Sequence, residues 1–507
     1  MMPCADEQAW ELEKHFWASG TQIWTNWGAS LPDEDVKLLI LPPAALKDPG
    51  VLHNAAQALK ISGELLIPLE KRDVNMRGLT QKFADAGFAA PEWFAVLPGM
   101  KDPVFTVRLT DRKAVELLAG LVVQRAGASW QRQAGGRLLK LLTRFGLEQS
   151  WLSKKILGSF WLRAVRQNVS QQTSALERLA ARDFGSASPA ALQFLVHAGH
   201  DALTLIAVDT QKQEPAGICR AARAADDLGL EREYAMLEWI HRHAPEDFLK
   251  TVPRALGLHR HRGRLVLNQS YLTGTVCRPQ EGQPAALQNY FSTVRGWLVK
   301  LAKIPVPENA APGNRFREAL EAFQRLSPAV PRASGRSQDS SVPGRAWAVS
   351  ADRSRRQELF WQAVREAAYK PETLPRVLTH RDLAPSNLLF DHGQLRVIDW
   401  GNSHWGLPMT DWARFGCNAL LMAHRPIKLE TVLQKVLAGK SPAGLIFFEQ
   451  SRLYAEEMGL NAEHARALFF LGLLDYLASC HQGSDAHWPE TYLFLWKDPQ
   501  WLWTIFE

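Results

Sequence analysis

Cysteine is scarce in this chain: five of the 507 residues are cysteines. They are Cys4, Cys219, Cys277, Cys417 and Cys480, and no two of them form a Cys-x-x-Cys pair. This scatter argues against a zinc site built from paired cysteines and against a disulfide framework. It is typical of a protein in a reducing compartment, so we expect a cytoplasmic protein.

Long apolar runs and internal repeats are also missing. No segment has the ~20 consecutive apolar residues that a membrane-spanning helix needs. Residues 1–13 include acidic side chains and lack the apolar core of a secretory signal. A chain of 507 residues exceeds the size at which a single hydrophobic core stops growing, so we expect at least two domains.

Positive charge is concentrated in one stretch. The formal net charge of the whole chain is +7. Between Trp130 and Arg166 stand one acid, Glu148, and eight basic residues: Arg132, Arg137, Lys140, Arg144, Lys154, Lys155, Arg163 and Arg166. The remainder is close to neutral, so no nucleic-acid partner is expected. One hypothesis is a helical linker that packs on its neighbours. The other is a peripheral contact with an anionic membrane, with Trp130, Trp151 and Trp161 at the interface.

Residues 35–110 follow an α/β pattern. Apolar strands are predicted at Val36–Pro43, Glu64–Glu70 and Val104–Leu109, and helices at Val51–Lys60 and Leu79–Ala86, the second ended by Gly87. Alternation of strand and helix predicts crossover connections and a mainly parallel sheet.

Part of this segment resembles a known family. The sequences HNAAQALKISGELLIPLEK and LTQKFADAGF are similar to the C-terminal half of class I S-adenosylmethionine methyltransferases. The glycine-rich cofactor loop of that family has no counterpart in the 35 residues before Val36. We therefore predict a partial, Rossmann-like and inactive segment over residues 1–110, followed by a basic helical linker over 111–185. An active methyltransferase is the least favoured alternative.

The strongest motif lies in LTHRDLAPSNLLFDHGQLRVIDW, residues 378–400. It places His380, Asp382 and Asn387 in a His-x-Asp-x-x-x-x-Asn pattern. A turn at residues 391–393 then leads to an apolar strand that ends on Asp399, so a β-hairpin is predicted after the loop. Phosphoryl transfer needs a carboxylate that orients the attacking hydroxyl and takes its proton, a role that fits Asp382. Mg²⁺ prefers hard oxygen ligands, which Asn387 and Asp399 can supply.

These residues resemble the aminoglycoside phosphotransferase and choline kinase superfamily. The similarity extends to Asp399-Trp400-Gly401 and to the segment Gly406–Ala413. It implies a two-lobed, protein-kinase-like α+β fold, with a small antiparallel N-lobe at 186–275 and a mostly helical C-lobe at 276–507. Residues 328–345 are predicted to form a mobile loop within the second lobe.

The resemblance also assigns supporting roles in the second lobe. His380 would support the catalytic loop rather than act as a base. Asp411 would begin a helix, where it can cap the helix or brace the catalytic loop, and capping is the favoured role.

In the first lobe the resemblance implies a nucleotide site. Gly199 lies in the turn over the ATP phosphates. Arg220 stands where the family has a phosphate-binding lysine, with Arg223 as a rival. Glu233 matches the helix glutamate that pairs with that cation, with Glu231 as a rival. Backbone groups of the hinge would then contact the adenine, at Leu267, Gln269 and Tyr271.

The implied function is transfer of the γ-phosphate of ATP, with Mg²⁺, to a hydroxyl of a small molecule or a saccharide. Because arginine differs from lysine in shape, the alternative is a weak or inactive nucleotide-binding scaffold in surface-polysaccharide or lipid-linked sugar assembly. Cationic drugs are not the favoured acceptors, because a solvated helix face accounts for the acids of the C-terminal part: Glu449, Glu456, Glu457 and Glu463.

Overall fold

The structure is a computed structural model. It describes residues 36–41, 46, 49–70, 79–97, 105–124, 130–145, 157, 159–165, 175–186, 188, 191–198, 202–222, 228–261, 263–277, 282–308, 310, 315–326, 351–424, 435–436, 441–480 and 505–506. Contacts divide the chain into two units. The first comprises Met1–Tyr234 and Arg254–Tyr271, and the second comprises Ala235–Pro253 and Leu272–Glu507.

The first unit contains one ten-stranded sheet, with strand order β1-β2-β5-β3-β4-β6-β7-β8-β10-β9. Its strands are β1 Val36–Ile40, β2 Leu59–Glu70, β3 Glu92–Leu97, β4 Phe105–Arg108, β5 Ser159–Val165, β6 Leu192–Ala198, β7 Ala202–Asp209, β8 Glu214–Ala222, β9 Ala255–His261 and β10 Arg264–Gln269. Because β4 pairs with β6, the sheet continues across both boundaries predicted at residues 110 and 185.

The prediction of a mainly parallel sheet is wrong. Among the described strands of this sheet, only β1 and β2 pair in parallel, and every other neighbouring pair is antiparallel. The Rossmann-like character of this segment is therefore limited to one crossover unit. Strand β3 was not predicted, and residues 61–63, which lie between the predicted helix and the next predicted strand, are inside β2.

The prediction that residues 111–185 are a helical linker is wrong at Ser159–Val165. This segment is strand β5, which pairs with both β2 and β3. Burial alternates along it, with Phe160, Leu162 and Ala164 buried and the residues between them half-buried. Burial of every second residue is the pattern expected of a strand, because successive side chains point to opposite faces of the sheet. A short strand among helical patterns is easily missed when its leucines and tryptophans also suit a helix.

The helices of the first unit are α1 Pro49–Ala58, α2 Leu79–Asp85, α3 Arg112–Gln124, α4 Trp130–Arg144 and α5 Ala175–Asp183. Helix α6, Gly229–His243, begins in the first unit and ends in the second. Two apolar clusters cover the sheet. One includes Phe83, Phe88 and Phe160, and the other packs α5 against Phe194 and Cys219. Gly87, with φ of +86°, follows α2 as predicted.

The second unit is mostly helical. Its helices are α7 Glu246–Leu249, α8 Pro284–Ala302, α9 Arg315–Leu326, α10 Ala351–Tyr369, α11 Thr410–Ala423, α12 Pro442–Glu457 and α13 Ala462–Cys480. Phe291 of α8, Trp412 and Phe415 of α11, and Phe447 of α12 form an aromatic core.

Five short strands complete the second unit: β11 Thr275–Val276, β12 Val377–Thr379, β13 Leu388–Asp391, β14 Gln394–Val397 and β15 His404–Gly406. Strand β13 pairs with β11 and β14, and β12 pairs with β15. The turn between β13 and β14 has positive φ at both His392 and Gly393, which suits a two-residue hairpin loop. The hairpin confirms the predicted strand-turn-strand order. The predicted loop at 328–345 lies outside the described residues.

Candidate active site

Two connected segments of the second unit carry the predicted catalytic residues. Strand β12 ends at Thr379, the loop from His380 follows, and a 3₁₀ turn at Pro385–Asn387 leads into β13. The backbone N–H of Ile398 donates to the carbonyl of Asn387 at 3.1 Å. That bond places Asp399, the next residue, beside the turn that holds Asn387. The structure thus brings together the residues that the motif predicted.

His380 is fully buried and holds the loop. Its Nε2 lies 3.0 Å from the carbonyl of Ile398, and its Nδ1 lies 3.3 Å from the backbone N–H of Asp382. A carbonyl accepts and an N–H donates, so Nε2 carries the proton and Nδ1 accepts. Burial lowers the pKa of His380 to about 4. A neutral imidazole with both nitrogens engaged fits the predicted supporting role and leaves no nitrogen to serve as a base.

Asp411 braces the catalytic loop, and the favoured prediction of a helix cap is wrong. Its carboxylate oxygens accept the backbone N–H groups of His380 at 2.6 Å and Arg381 at 2.7 Å. The residue before α11 is Met409, which makes no side-chain cap. Burial raises the pKa of Asp411 to about 6, although the two N–H donors act in the opposite direction.

Arg381 links the same loop to helix α13. Its backbone is left-handed, with φ of +59°. Its buried guanidinium places one nitrogen 2.7 Å from each carboxylate oxygen of Asp475 on α13. A positive φ is strained for a residue with a side chain, and it persists only where surrounding contacts enforce it. The ion pair with Asp475 and the hydrogen bond to Asp411 hold Arg381 in this conformation.

Asp382 is held at both carboxylate oxygens. Oδ1 lies 2.6 Å from the guanidinium of Arg414, and Oδ2 lies 3.2 Å from the amide nitrogen of Asn387. The side chain of Asp382 remains 28% exposed, so a small acceptor can reach it. Burial raises the pKa of Asp382, and the charge of Asp399 adds to that effect, while Arg414 lowers it.

Arg414 was missed by the sequence analysis. It lies one turn after Asp411 on α11, so both side chains leave the same face of the helix. Its guanidinium also lies over the ring of Tyr476, 5.1 Å from the ring centroid. Tyr476 donates its hydroxyl proton to Asn418 at 3.1 Å. The available signal was an arginine three residues after a loop-bracing aspartate.

The residues present fit a divalent cation. Asp399 has a left-handed backbone, with φ of +69°, and its charge acts on both Asp382 and His380. The amide nitrogen of Asn387 donates to the carbonyl and the carboxylate of Asp382, which leaves the amide oxygen as the atom for a metal. Within the described part of the chain, no three His, Cys, Asp or Glu residues gather into a metal cluster. A carboxylate and an amide oxygen that share a cation with phosphate oxygens need no such cluster.

A second predicted cluster lies in the first unit. Arg220 on β8 places one guanidinium nitrogen 2.7 Å and 2.5 Å from the two oxygens of Glu233 on α6. The side-chain amide of Gln269 on β10 donates to Glu233 at 2.8 Å. Glu233 is fully buried, whereas its rival Glu231 is exposed. The predicted pairing of Arg220 with Glu233 is therefore present in the structure.

The remaining predicted nucleotide contacts stay predictions. Leu267 pairs with residues of both β8 and β9, and its side chain is fully buried. The side chain of Gln269 is occupied by Glu233. Tyr271 follows β10 and is half-buried. Gly199 and Arg223 lie outside the described residues.

The candidate site lies inside a segment that matches a known family. Residues 195–437 match the family model described as "Phosphotransferase enzyme family". Among solved structures, the chain is similar to an ethanolamine kinase of Plasmodium vivax, with 15% identity, coverage of 66% of this chain and 92% of that chain, and a TM-score of 0.38. It is also similar to an aminoglycoside phosphotransferase of Streptomyces rimosus, with 16% identity, coverage of 59% and 96%, and a TM-score of 0.35.

A choline kinase of Cryptosporidium parvum is similar at 10% identity, with coverage of 66% of this chain and 94% of that chain and a TM-score of 0.37. No curated protein matches the chain. In the part of the chain that the structure describes, no helix combines the length and the apolar character of a bilayer span.

The class of protein that the family match and the motif residues indicate is a phosphotransferase. Residues 195–437 match the model of the phosphotransferase enzyme family, in agreement with the aminoglycoside and choline kinase resemblance of the motif. The resemblance of residues 35–110 to methyltransferases has no support from these comparisons.

Proposed function

We propose that the chain transfers the γ-phosphate of ATP to a hydroxyl of a small molecule or saccharide. The observation that carries the proposal is the carboxylate of Asp382, held by Arg414 and Asn387 and still partly open to solvent. A carboxylate fixed in this way can orient an acceptor hydroxyl and receive its proton as the phosphoryl group is transferred.

Each neighbour of Asp382 has a part in this reaction. Asn387 and Asp399 would hold Mg²⁺, which supplies positive charge to the phosphate oxygens when bound. Asp411 and His380 fix the backbone of the loop, so that the carboxylate keeps one position. A fixed position matters because misplacement of a catalytic group by about 1 Å can reduce the rate by roughly 10²-fold.

The charge around Asp382 favours acceptors that carry no positive charge near the reacting hydroxyl. The guanidinium of Arg414 lies 2.6 Å from the base and would repel a cationic group there. The acids of the C-terminal part do not compensate. Glu449, Glu456 and Glu457 are exposed on α12, and Glu457 pairs with Arg295. A neutral or anionic saccharide fits this site.

The alternative of an inactive nucleotide-binding scaffold is motivated by Arg220 in place of lysine. The contact between Arg220 and the buried Glu233 counts against it, because the cation is held by the same kind of carboxylate that the family uses. Two charged nitrogens in a planar fork can also bind phosphate oxygens. Turnover of ATP is therefore the favoured outcome.

The test is ADP release from Mg·ATP in the presence of neutral, acidic and amino sugars. Asp382→Asn and Asp399→Asn are each expected to reduce turnover by about 10²-fold or more. His392→Ala serves as the control, because His392 lies in the same segment and its side chain is 98% exposed. Turnover by Asp382→Asn equal to that of the His392→Ala control would refute the proposal. Binding of Mg·ATP without turnover of any acceptor or of water would favour the scaffold.

A further inference from the structure

Helix α4 has one face buried against its own unit. Leu139, Leu142 and Thr143 are buried, and the hydroxyl of Thr143 donates to the carbonyl of Leu139 at 2.7 Å. The helix packs against α3, and the guanidinium of Arg112 on α3 donates to the carbonyl of Arg144 at 2.6 Å. The orientation of α4 is therefore fixed, and the opposite face is the one presented to solvent.

The opposite face exposes large apolar side chains. Leu138 is 37% exposed, Leu141 is 48% exposed and Phe145, directly after the helix, is 72% exposed. These residues are three and four positions apart, so they form one stripe along the helix. Elsewhere in the described residues, large exposed apolar side chains are dispersed: Leu228, Leu359, Tyr369 and Leu445.

Cations run alongside the apolar stripe. Arg137, Lys140 and Arg144 are exposed and are also three and four residues apart. At about 100° of rotation per residue, the three cations occupy a sector about 60° wide, and Leu141, Phe145 and Leu138 occupy the adjoining sector of about the same width. We call these six residues the basic–apolar face.

The structure excludes part of the basic stretch from the membrane contact that the sequence suggested. Trp161 lies in β5, where it pairs with residues of β2 and β3, so it is not a free interfacial tryptophan. Arg163 on the same strand forms an ion pair with Glu92 at 2.8 Å. Trp151, Lys154 and Lys155 lie outside the described residues. Among the basic residues of the stretch whose side chains the structure describes, Arg137, Lys140 and Arg144 are exposed, and they belong to the basic–apolar face.

We propose that the basic–apolar face lies on an anionic lipid surface. Apolar side chains beside a row of cations suit the boundary between acyl chains and phosphate headgroups. A nucleic acid would meet the cations but leave the apolar stripe in water. A second copy of the chain would cover the stripe but bring like charges together. An anionic lipid surface would both bury the apolar stripe and neutralise the cations. It would also keep the phosphotransferase near membrane-bound acceptors.

The test uses the full-length protein and co-sedimentation with lipid vesicles. Vesicles of phosphatidylcholine are compared with vesicles that also contain phosphatidylglycerol, at low and at high salt. Binding to the anionic vesicles is expected to be about tenfold stronger and to weaken with salt, because headgroup attraction is screened within a Debye length. Equal binding to both vesicles, or binding to neither, would overturn the proposal.

Two variants separate the parts of the face. Leu141→Ser with Phe145→Ser should weaken vesicle binding at both salt concentrations. Arg137→Gln with Lys140→Gln should weaken it at low salt only. The matched controls are Leu445→Ser, on an exposed apolar residue of α12, and Arg355→Gln, on an exposed cation of α10. Circular dichroism and thermal unfolding verify that each variant folds.

The same variants also distinguish lipid from the two other possible partners of the face, a second copy of the chain and a nucleic acid. If light scattering shows a dimer that Leu141→Ser with Phe145→Ser converts to a monomer, the face is a contact between copies and the lipid proposal is wrong. Tight binding of an RNA oligomer that depends on Arg137 and Lys140 but not on Leu141 and Phe145, without vesicle binding, would also overturn it. Loss of binding in the control variants to the same extent would do so as well.

Discussion

The two units each contain an arginine beside a carboxylate, and the pairs differ in which partner is buried. In the first unit, Glu233 is fully buried and receives N–H groups from both Arg220 and Gln269. In the second, Asp382 is partly exposed, and Arg414 rests on Tyr476 while it contacts the carboxylate. In the first pair the carboxylate positions the cation. In the second the cation positions the carboxylate.

This difference matches the parts the two pairs take in the proposed reaction. A phosphate ligand needs a cation that stays in place, so a buried glutamate is a suitable anchor. A base needs a carboxylate that an acceptor can reach, so its anchor must be the cation behind it. The two pairs should therefore respond differently to the loss of either partner.

The largest effect is expected for Glu233→Gln. Removal of the charge leaves Arg220 without its counterion in a largely buried site, which should destabilise the first unit by about 3–5 kcal/mol. The affinity for Mg·ATP should fall as well, because Arg220 loses its position. Urea unfolding and the KM for ATP are the measurements. Glu231→Gln, on an exposed residue of the same helix, should change stability by less than about 0.5 kcal/mol. Equal effects of the two substitutions would contradict the anchoring role.

Asp411→Asn tests a third carboxylate, which holds backbone rather than a cation. Burial raises the pKa of Asp411 from its ordinary 3.8 to about 6. Between these values the folded protein binds a proton that the unfolded chain does not, so the contribution of Asp411 to stability falls as the pH rises, by up to ~3 kcal/mol.

His380 acts in the opposite direction over nearly the same range. Burial lowers its pKa from 6.5 to about 4, so the unfolded chain binds the extra proton and stability rises with pH. The two contributions oppose each other in the native protein. In Asp411→Asn only the rise remains, and urea unfolding at pH 4 to 6.5 should show a steeper increase in stability than the native chain shows. If the stability of Asp411→Asn and that of the native chain change with pH in parallel, Asp411 does not contribute the expected pH dependence. Glu372→Gln is the exposed control.

Arg414→Gln should have a moderate effect that depends on pH. Arg414 lowers the pKa of Asp382 against the raising effect of burial. Without the guanidinium, the pKa of Asp382 should rise and the acid limb of the kcat profile should move to higher pH, since the base must be ionised to accept a proton. Arg414→Lys should restore part of the shift, because it restores the charge. An unchanged acid limb would show that Arg414 has no influence on the base. Arg452→Gln, on an exposed arginine of α12, is the control.

The smallest effect is expected for Arg220→Lys. Lysine keeps the charge beside Glu233 and restores the residue that the family uses, so unfolding should change by less than about 1 kcal/mol. The KM for ATP should change by a few-fold at most. A loss as large as that of Glu233→Gln would mean that the guanidinium geometry, rather than its charge, is what Glu233 holds.

The catalytic loop and its helix were predictable because their chemistry is local. His380, Asp382, Asn387 and Asp399 lie within twenty residues, and the turn at Asp391–Gly393 separates two short apolar strands. Local spacing fixes local geometry, so the motif and the hairpin followed from the sequence. Arg220 and Glu233 were found through the family resemblance, which assigns a cation and a glutamate to that strand and that helix.

Contacts between distant segments were not predictable in the same way. Arg381 meets Asp475 across 94 positions in the sequence, and strand β5 inserts between β2 and β3. Neither leaves a local pattern. The role of Asp411 shows the same limit, since capping and bracing need the same residue at the same place, and only the position of the loop decides between them.

The sequence alone determined the class of chemistry, because carboxylates and an amide at fixed spacing are what hydroxyl activation and metal binding require. It also located the basic stretch. The tertiary structure decided which cation accompanies the base, which carboxylate braces the loop, and which side of the basic stretch is open to solvent. The physical reason is that these properties depend on burial and on the approach of side chains from separate elements, which a linear sequence does not specify.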